Sequence, residues 1–183
     1  VLEHFNIVKA VLIGHSMGGA VALEVASAAP STVHRVIGVD TFTYQEIYPR
    51  ADEPRITAMT EALQGNFGNA LRTALDAYFL TDGDPQVKSW VLKEMLKTSA
   101  EVGIYSMAAL LRWDLDAALM RMREAPMCIN SAELLDDAVA LRYRDRLRLV
   151  RFEIGGHFLM LDAPQRFNRV LRECLADAPA RDK

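Results

Sequence analysis

Val11-Leu12-Ile13-Gly14-His15-Ser16-Met17-Gly18-Gly19-Ala20 is the stretch whose reading decides the fold. Three apolar residues lead into a cluster of small ones, and an apolar-periodic run over 20–28 leads out. The pattern Gly14-x-Ser16-x-Gly18 therefore lies where a buried strand turns abruptly into a helix. In such a nucleophile elbow the turn is so tight that the flanking positions tolerate little beyond hydrogen as a side chain. The turn lifts the serine hydroxyl above the carboxyl end of a parallel sheet. It also leaves the backbone N–H of Met17 at a helix N-terminus, aimed where negative charge on an oxygen would develop. A phosphate-cradling loop is the competing reading of such a turn. It is disfavoured, because no Lys-Ser/Thr pair follows the glycines and the spacing is not Gly-x-Gly-x-x-Gly.

Outward from the elbow, residues 7–13 read as a buried strand, 1–6 as a helix tail, and 20–29 as a helix closed by Pro30. Residues 33–40 are β-branched and end in Asp40. Strand, helix and strand at this spacing form a βαβ unit, which implies a parallel sheet. Strand signals then vanish from Thr41 to Ala125. Helical periodicity takes over in pieces at about 54–64, 66–80, 85–112 with a break near Thr98, and 115–123. Gly65, Gly68, Asp82-Gly83-Asp84-Pro85 and Gly103 punctuate them. Residues 126–130 read as strand again, 137–143 as helix, 147–154 as the last strand and 165–176 as a final helix. Asp162 is placed to cap that helix, with Pro164 in its first turn.

A chain of 183 residues that is 51% hydrophobic can bury one domain-sized core. Its net charge of −3 and scattered Lys and Arg argue against a nucleic-acid partner. Arg142, Arg144, Arg146, Arg148 and Arg151 are dense, but Asp145 and apolar strand residues interrupt them, which reads as a solvated edge. Cys128 and Cys174, on a strand and an amphipathic helix, read as reduced core thiols, in keeping with a cytoplasmic protein. No apolar run has the length of a membrane span, no signal peptide is visible, and no ligand cluster or nucleotide motif calls for a metal or cofactor. Val1 stands where an element is already under way, so the chain is expected to begin part-way through a larger unit.

Gly-His-Ser-Met-Gly-Gly resembles the elbow of the α/β-hydrolase superfamily, in the form found in its esterase, lipase and cofactor-free haloperoxidase-like branches. Serine is a weak nucleophile at neutral pH and needs a base, which in turn needs an orienting acid. The family order is Ser, acid, His, with the His on a loop after the last strand. His157, in Gly155-Gly156-His157-Phe158 ahead of Asp162-Ala163-Pro164, is similar to that loop, and its glycines let the imidazole bend back toward Ser16. His15 reads as a structural or pocket-side residue, His4 and His34 as surface positions.

The acid stays open between two places. In most relatives it follows the seventh strand, but here Ala132 and Leu134 hold the usual positions, with Glu133, Asp136 and Asp137 out of register. Asp137 would equally open the next helix as a cap. Asp40 ends the sixth strand, where haloalkane dehalogenases and certain lipases place their acid. Asp40 is preferred and Asp137 is next.

The resemblance implies an α/β fold, namely a partial α/β-hydrolase with a mostly parallel sheet, helices on both faces and a helical cap insertion. Residues 1–43 and 126–183 would form the core and 44–125 the cap, whose Met and aromatic side chains mostly make its own core. It covers the whole chain but only the carboxyl-terminal two-thirds of the family fold, about four strands ahead of the elbow having no counterpart here. The loop carrying the second oxyanion N–H belongs to that part. The elbow strand would then be a bare apolar edge prone to self-association. The implied function is a serine hydrolase of ester-like small molecules, with Ser16, His157 and Asp40 as triad and Met17 N–H in the oxyanion hole. A cofactor-free haloperoxidase or C–C bond hydrolase would use the same residues, and a non-catalytic relative would use none.

Overall fold

In the computed structural model, which describes residues 1–44, 47–48, 50–79 and 83–177, the chain is built on four parallel strands. These are β1 (Ala10–His15), β2 (Val33–Val39), β3 (Met127–Ser131) and β4 (Arg148–Phe152), laid side by side in that order. Parallel neighbours need long crossovers, and helices supply them. α1 (Met17–Ala28) joins β1 to β2, and α7 (Asp137–Arg142) joins β3 to β4. Between β2 and β3 lie α2 (Glu53–Gln64), α3 (Phe67–Tyr78), α4 (Pro85–Met95), α5 (Ala100–Arg112) and α6 (Leu115–Met120). After β4 come α8 (Leu159–Asp162) and α9 (Pro164–Ala176). Leu80 and Asp82, read from sequence as a helix end and part of a turn, lie outside the described residues.

Side chains alternate between the two faces of the sheet, and both faces are covered. Val36 and Cys128 pack with Leu23 of α1, Leu115 and Ala118 of α6 and Val139 of α7. Ile37, Val39, Met127, Ile129 and Phe152 point the other way, onto Leu159 of α8 and Phe167 and Cys174 of α9. This is why Val36–Val39 of β2 and Met127–Ile129 of β3 read as continuous apolar stretches rather than alternating ones. Both cysteines are free and buried. The inserted helices keep smaller cores: Ile56, Ala108 and Leu111 in one, Leu75, Phe79 and Val91 in another. Their starts are set by Asp52, Asp84, Ser99 and Asp114, each side chain accepting a backbone N–H in the first turn. Ser99 restarts the helix after the break near Thr98.

Several local expectations shift. Residues 1–6 form a turn, with Phe5 N–H donating to Val1 O and Ile7 N–H to Leu2 O, and Asn6 at φ 52° ends it. The first strand begins at Ala10 because its pairing starts at Ala10 opposite Val33; Val8, before it, is exposed. α1 begins at Met17, immediately after the serine, not at Ala20. Asp162 does not cap α9: Ala163 holds that place, Pro164 opens the helix, and the Asp162 carboxylate instead accepts the Gly156 N–H at 2.8 Å. α7 is capped by Asp136, whose side chain accepts the Val139 N–H, so Asp137 is its first helical residue. β1 is an edge strand, and Ile13 on it is exposed, as are Val21 and Val25 of α1.

Candidate active site

The carboxyl ends of the strands bring the candidate residues together. Ser16 sits between β1 and α1 at φ 53°, ψ −124°, a backbone region that non-glycine residues rarely occupy. Its N–H donates to Val39 O at 3.0 Å, fastening the elbow to β2. A Cβ on Gly14 would lie 2.2 Å from Gly18 O, so the turn cannot close over any side chain there. At Gly19 a Cβ would meet Thr41 Cγ2 at 2.6 Å, whereas at Gly18 it meets nothing within 4 Å. The steric demand expected at Gly18 therefore falls on Gly14 and Gly19, because the Gly18 position faces open space. Gly14→Ala is expected to cost about 3 kcal/mol. Gly18→Ala, inside a helix, should be neutral or stabilising by up to about 1 kcal/mol. Urea unfolding midpoints of the two variants check the contrast. Met17, as the first residue of α1, has an N–H with no partner inside the helix.

Asp40 follows β2 at φ 46°, its N–H held by Ile129 O at 2.7 Å. That strained turn swings the carboxylate across the end of β3. Oδ1 accepts the Ser131 N–H at 2.8 Å, and Oδ2 lies 2.6 Å from His157 Nδ1. Asp40 and His157 are both buried, at 1% and 5% exposure, so the contact is shielded from water. A proton on Nδ1 facing the carboxylate leaves Nε2 free to accept one. The Tyr44 hydroxyl also donates to Asp40 Oδ2 and stands 2.9 Å from His157 Nδ1. Asp137 is elsewhere: it is exposed and pairs with Arg151. Glu133 is exposed too.

The histidine loop is tied on several sides. His157 N–H donates to Tyr78 O at 2.8 Å, and the His15 ring donates from Nε2 to His157 O at 2.8 Å. Gly155, at φ 94°, offers its carbonyl to the Ser131 hydroxyl, while Gly156 is held by Asp162. Phe158 stacks on Phe79 with ring centroids 5.0 Å apart, joining this loop to the inserted helices.

Burial, and next the neighbouring His157, push the His15 imidazole down to about 4. It is thus a neutral donor at physiological pH. An unfolded chain binds this proton from about 6.5 downward. The unfolded state therefore holds more protons between 6.5 and 4, and stability falls as pH drops through that window. The expected loss through this group is about 2 kcal/mol by pH 5. His15→Asn, which keeps a donor but cannot titrate, should flatten that part of the stability–pH curve measured by urea unfolding.

Ser16, Met17, Asp40, Tyr44, Tyr78, Leu110 and His157 line one narrow cavity of about 10 Å³. That is room for one water. A larger cavity of about 210 Å³ opens at the amino ends of β2 and β3, among Val33, Arg35, Arg121 and Pro126, away from every candidate residue. The dense arginines are surface pairs: Arg142 and Arg146 with Asp116, Arg148 with Asp177, Arg151 with Asp137. Among the described residues no group of His, Cys, Asp or Glu is arranged to hold a metal ion, and no helix is long and apolar enough to cross a membrane. Tyr44 and Ser131 are the site residues that sequence reasoning misses. Neither carries a motif: Tyr44 lies just beyond the turn after β2, and Ser131 ends β3, where that turn brings the Asp40 carboxylate to it.

Comparison with known proteins bears on the fold. The model of a family described as "Alpha/beta hydrolase family" matches residues 1–170. A Haemophilus influenzae protein named only provisionally as an esterase/lipase is 42% identical over 40 residues, which span 22% of this chain and 14% of that one. Among solved structures, an esterase from Exiguobacterium antarcticum superposes with a TM-score of 0.80 at 21% identity, covering 95% of this chain and 69% of the esterase. A bromoperoxidase from Bacillus anthracis gives 0.79 at 17% identity, over 96% of this chain and 70% of its own. A 2-hydroxy-6-oxo-6-phenylhexa-2,4-dienoate hydrolase from Rhodococcus gives 0.66 at 18%, over 95% and 66%. At these identities the likeness is one of fold. The chain spans about two-thirds to 70% of the length of these solved structures, and the sheet is accordingly part of the full fold.

Proposed function

This chain belongs to the alpha/beta hydrolase family, and from that premise we propose that it is a serine hydrolase of ester-like small molecules. Ser16 Oγ attacks the substrate carbonyl carbon while His157 Nε2 takes the hydroxyl proton. The tetrahedral oxyanion forms toward the Met17 N–H at the start of α1. Collapse expels the alcohol, which receives the proton from His157, and leaves an acyl-Ser16 ester. Water, deprotonated by the same imidazole, then hydrolyses that ester and restores the serine. Asp40 holds the imidazole in the required tautomer and stabilises the imidazolium that forms in each half. Helices α2–α5 act as a cap, with Tyr78 and Leu110 reaching the cavity above Ser16.

The observation that carries this reading is the 2.6 Å contact between buried Asp40 Oδ2 and His157 Nδ1, opening on the cavity that Ser16 lines. A cavity with room for one water has to open for any acyl group, and least for a short one. The test is to treat the chain with a fluorophosphonate and locate the adduct by mass spectrometry, then compare p-nitrophenyl acetate with a long-chain ester. An adduct on Ser16 and faster acetate turnover are expected. No adduct on Ser16, or halide oxidation with peracid in place of ester cleavage, would overturn the reading.

A further inference from the structure

All of Asp40's hold on the imidazole runs through one oxygen, because Ser131 N–H already occupies Oδ1. That same Oδ2 also receives the Tyr44 hydroxyl, which lies 2.9 Å from Nδ1. Three polar atoms thus form a triangle that contains two protons. With Nδ1 protonated, the phenol proton can only point to Oδ2. The Tyr44 ring meets His157 edge-on, centroids 5.7 Å apart, so the hydroxyl is aimed by packing and does not swing free.

We propose that Tyr44 is a positioning residue that lowers the basicity of His157 by sharing the Asp40 oxygen on which the imidazole depends. This rests on Asp40 and His157 being the acid and base of the proposed hydrolase. A carboxylate oxygen that accepts a second hydrogen bond has less charge to offer an imidazolium, so protonation of His157 gains less.

The groups facing His157 are consistent with this. Asp40 comes from the end of β2, Tyr44 from the turn after it, His15 from β1, Tyr78 from α3, and Asp162 reaches the loop at Gly156 from α8. Cys128 of β3 lies near Asp40. His15 is neutral, as described. Burial, reinforced by the Asp40 charge, holds the Tyr44 phenol far above the ordinary tyrosine range, and burial does the same for the Cys128 thiol. Tyr44 therefore acts as a neutral donor and never as a competing anion.

The experiment is an NMR titration of the His157 imidazole in the whole chain, which needs no turnover. Tyr44→Phe removes the donor and is expected to raise the midpoint by about half a unit to one unit. A ring-fluorinated tyrosine at position 44 keeps the shape, donates more strongly and should lower it. Movement in opposite directions supports the assignment, and the acid limb of kcat/KM should follow. A merely structural tyrosine would leave both midpoints in place, which overturns the assignment. Should Tyr44→Phe fail to fold, an unmoved midpoint in the fluorinated protein overturns it equally. Fluorophosphonate labelling of Ser16 in the unaltered chain is scored separately: its absence removes the hydrolase reading, while the titration still decides what Tyr44 does to His157.

Discussion

Ser16→Ala is expected to lower kcat for a short activated ester by on the order of 10⁶, the loss typical when the nucleophile of such a triad is removed. What survives is binding and whatever oxyanion donation Met17 provides, because neither depends on the hydroxyl. Stability should hardly move. Alanine inherits the same φ of 53°, and the backbone bond from residue 16 to Val39 O is unaffected by the side chain. The unfolding midpoint of the variant should therefore match that of the parent, which separates lost chemistry from lost fold. Fluorophosphonate labelling should vanish in step with turnover. Turnover within tenfold of the parent would remove Ser16 from the mechanism and leave the elbow as a tight turn only.

Legibility in the sequence followed the range of the interaction. The elbow is readable because its constraint is local: Gly14 lies four residues from the carbonyl that excludes a Cβ. Even there the pattern misleads at Gly18, since a motif records which residue stands at a position and not which way its Cβ would point. The start of β1 is misread for a different reason. Residues 7–9 are as apolar-patterned as a strand, but a strand exists only where a neighbour pairs with it, and that pairing begins at Ala10. Asp162 fits a helix-start pattern ahead of Ala163-Pro164, yet the Gly156 N–H claims its carboxylate. Both errors come from partners distant in sequence or absent from the local window.

His157 is readable from its place after the last strand and from the glycines that free its loop. Its supports are not. Tyr78 O, the His15 ring and the Tyr44 hydroxyl converge on it from three separate elements. The candidate acid is the clearest example: Asp40 follows β2 and Asp137 opens α7, and the local sequence ranks the two without deciding between them. The difference lies in the positive φ at Asp40 and in the β2–β3 register, which places Ile129 O and Ser131 N–H where they hold that turn.

Asp40→Asn against Asp137→Asn is the comparison that decides the acid. Asparagine at 40 keeps the shape, and its amide oxygen can still accept the Ser131 N–H. With that oxygen so engaged, the amide NH₂ faces His157 Nδ1, and two donors cannot share the position. The imidazole relieves the conflict by moving its proton to Nε2, which then faces Ser16 as a donor and cannot serve as base. The wrong tautomer costs on the order of 10⁴ in kcat. Asp137, exposed and paired only with Arg151 among the contacts described, lies outside this circuit. A surface ion pair of that kind is worth about 0–1 kcal/mol of stability, and its loss should leave kcat unchanged. A second readout guards against misfolding: fluorophosphonate labelling of Ser16 should slow in Asp40→Asn while its unfolding remains cooperative. A crippled Asp137→Asn beside a near-normal Asp40→Asn would reverse the assignment, and the buried contact at His157 would then be structural support for the loop.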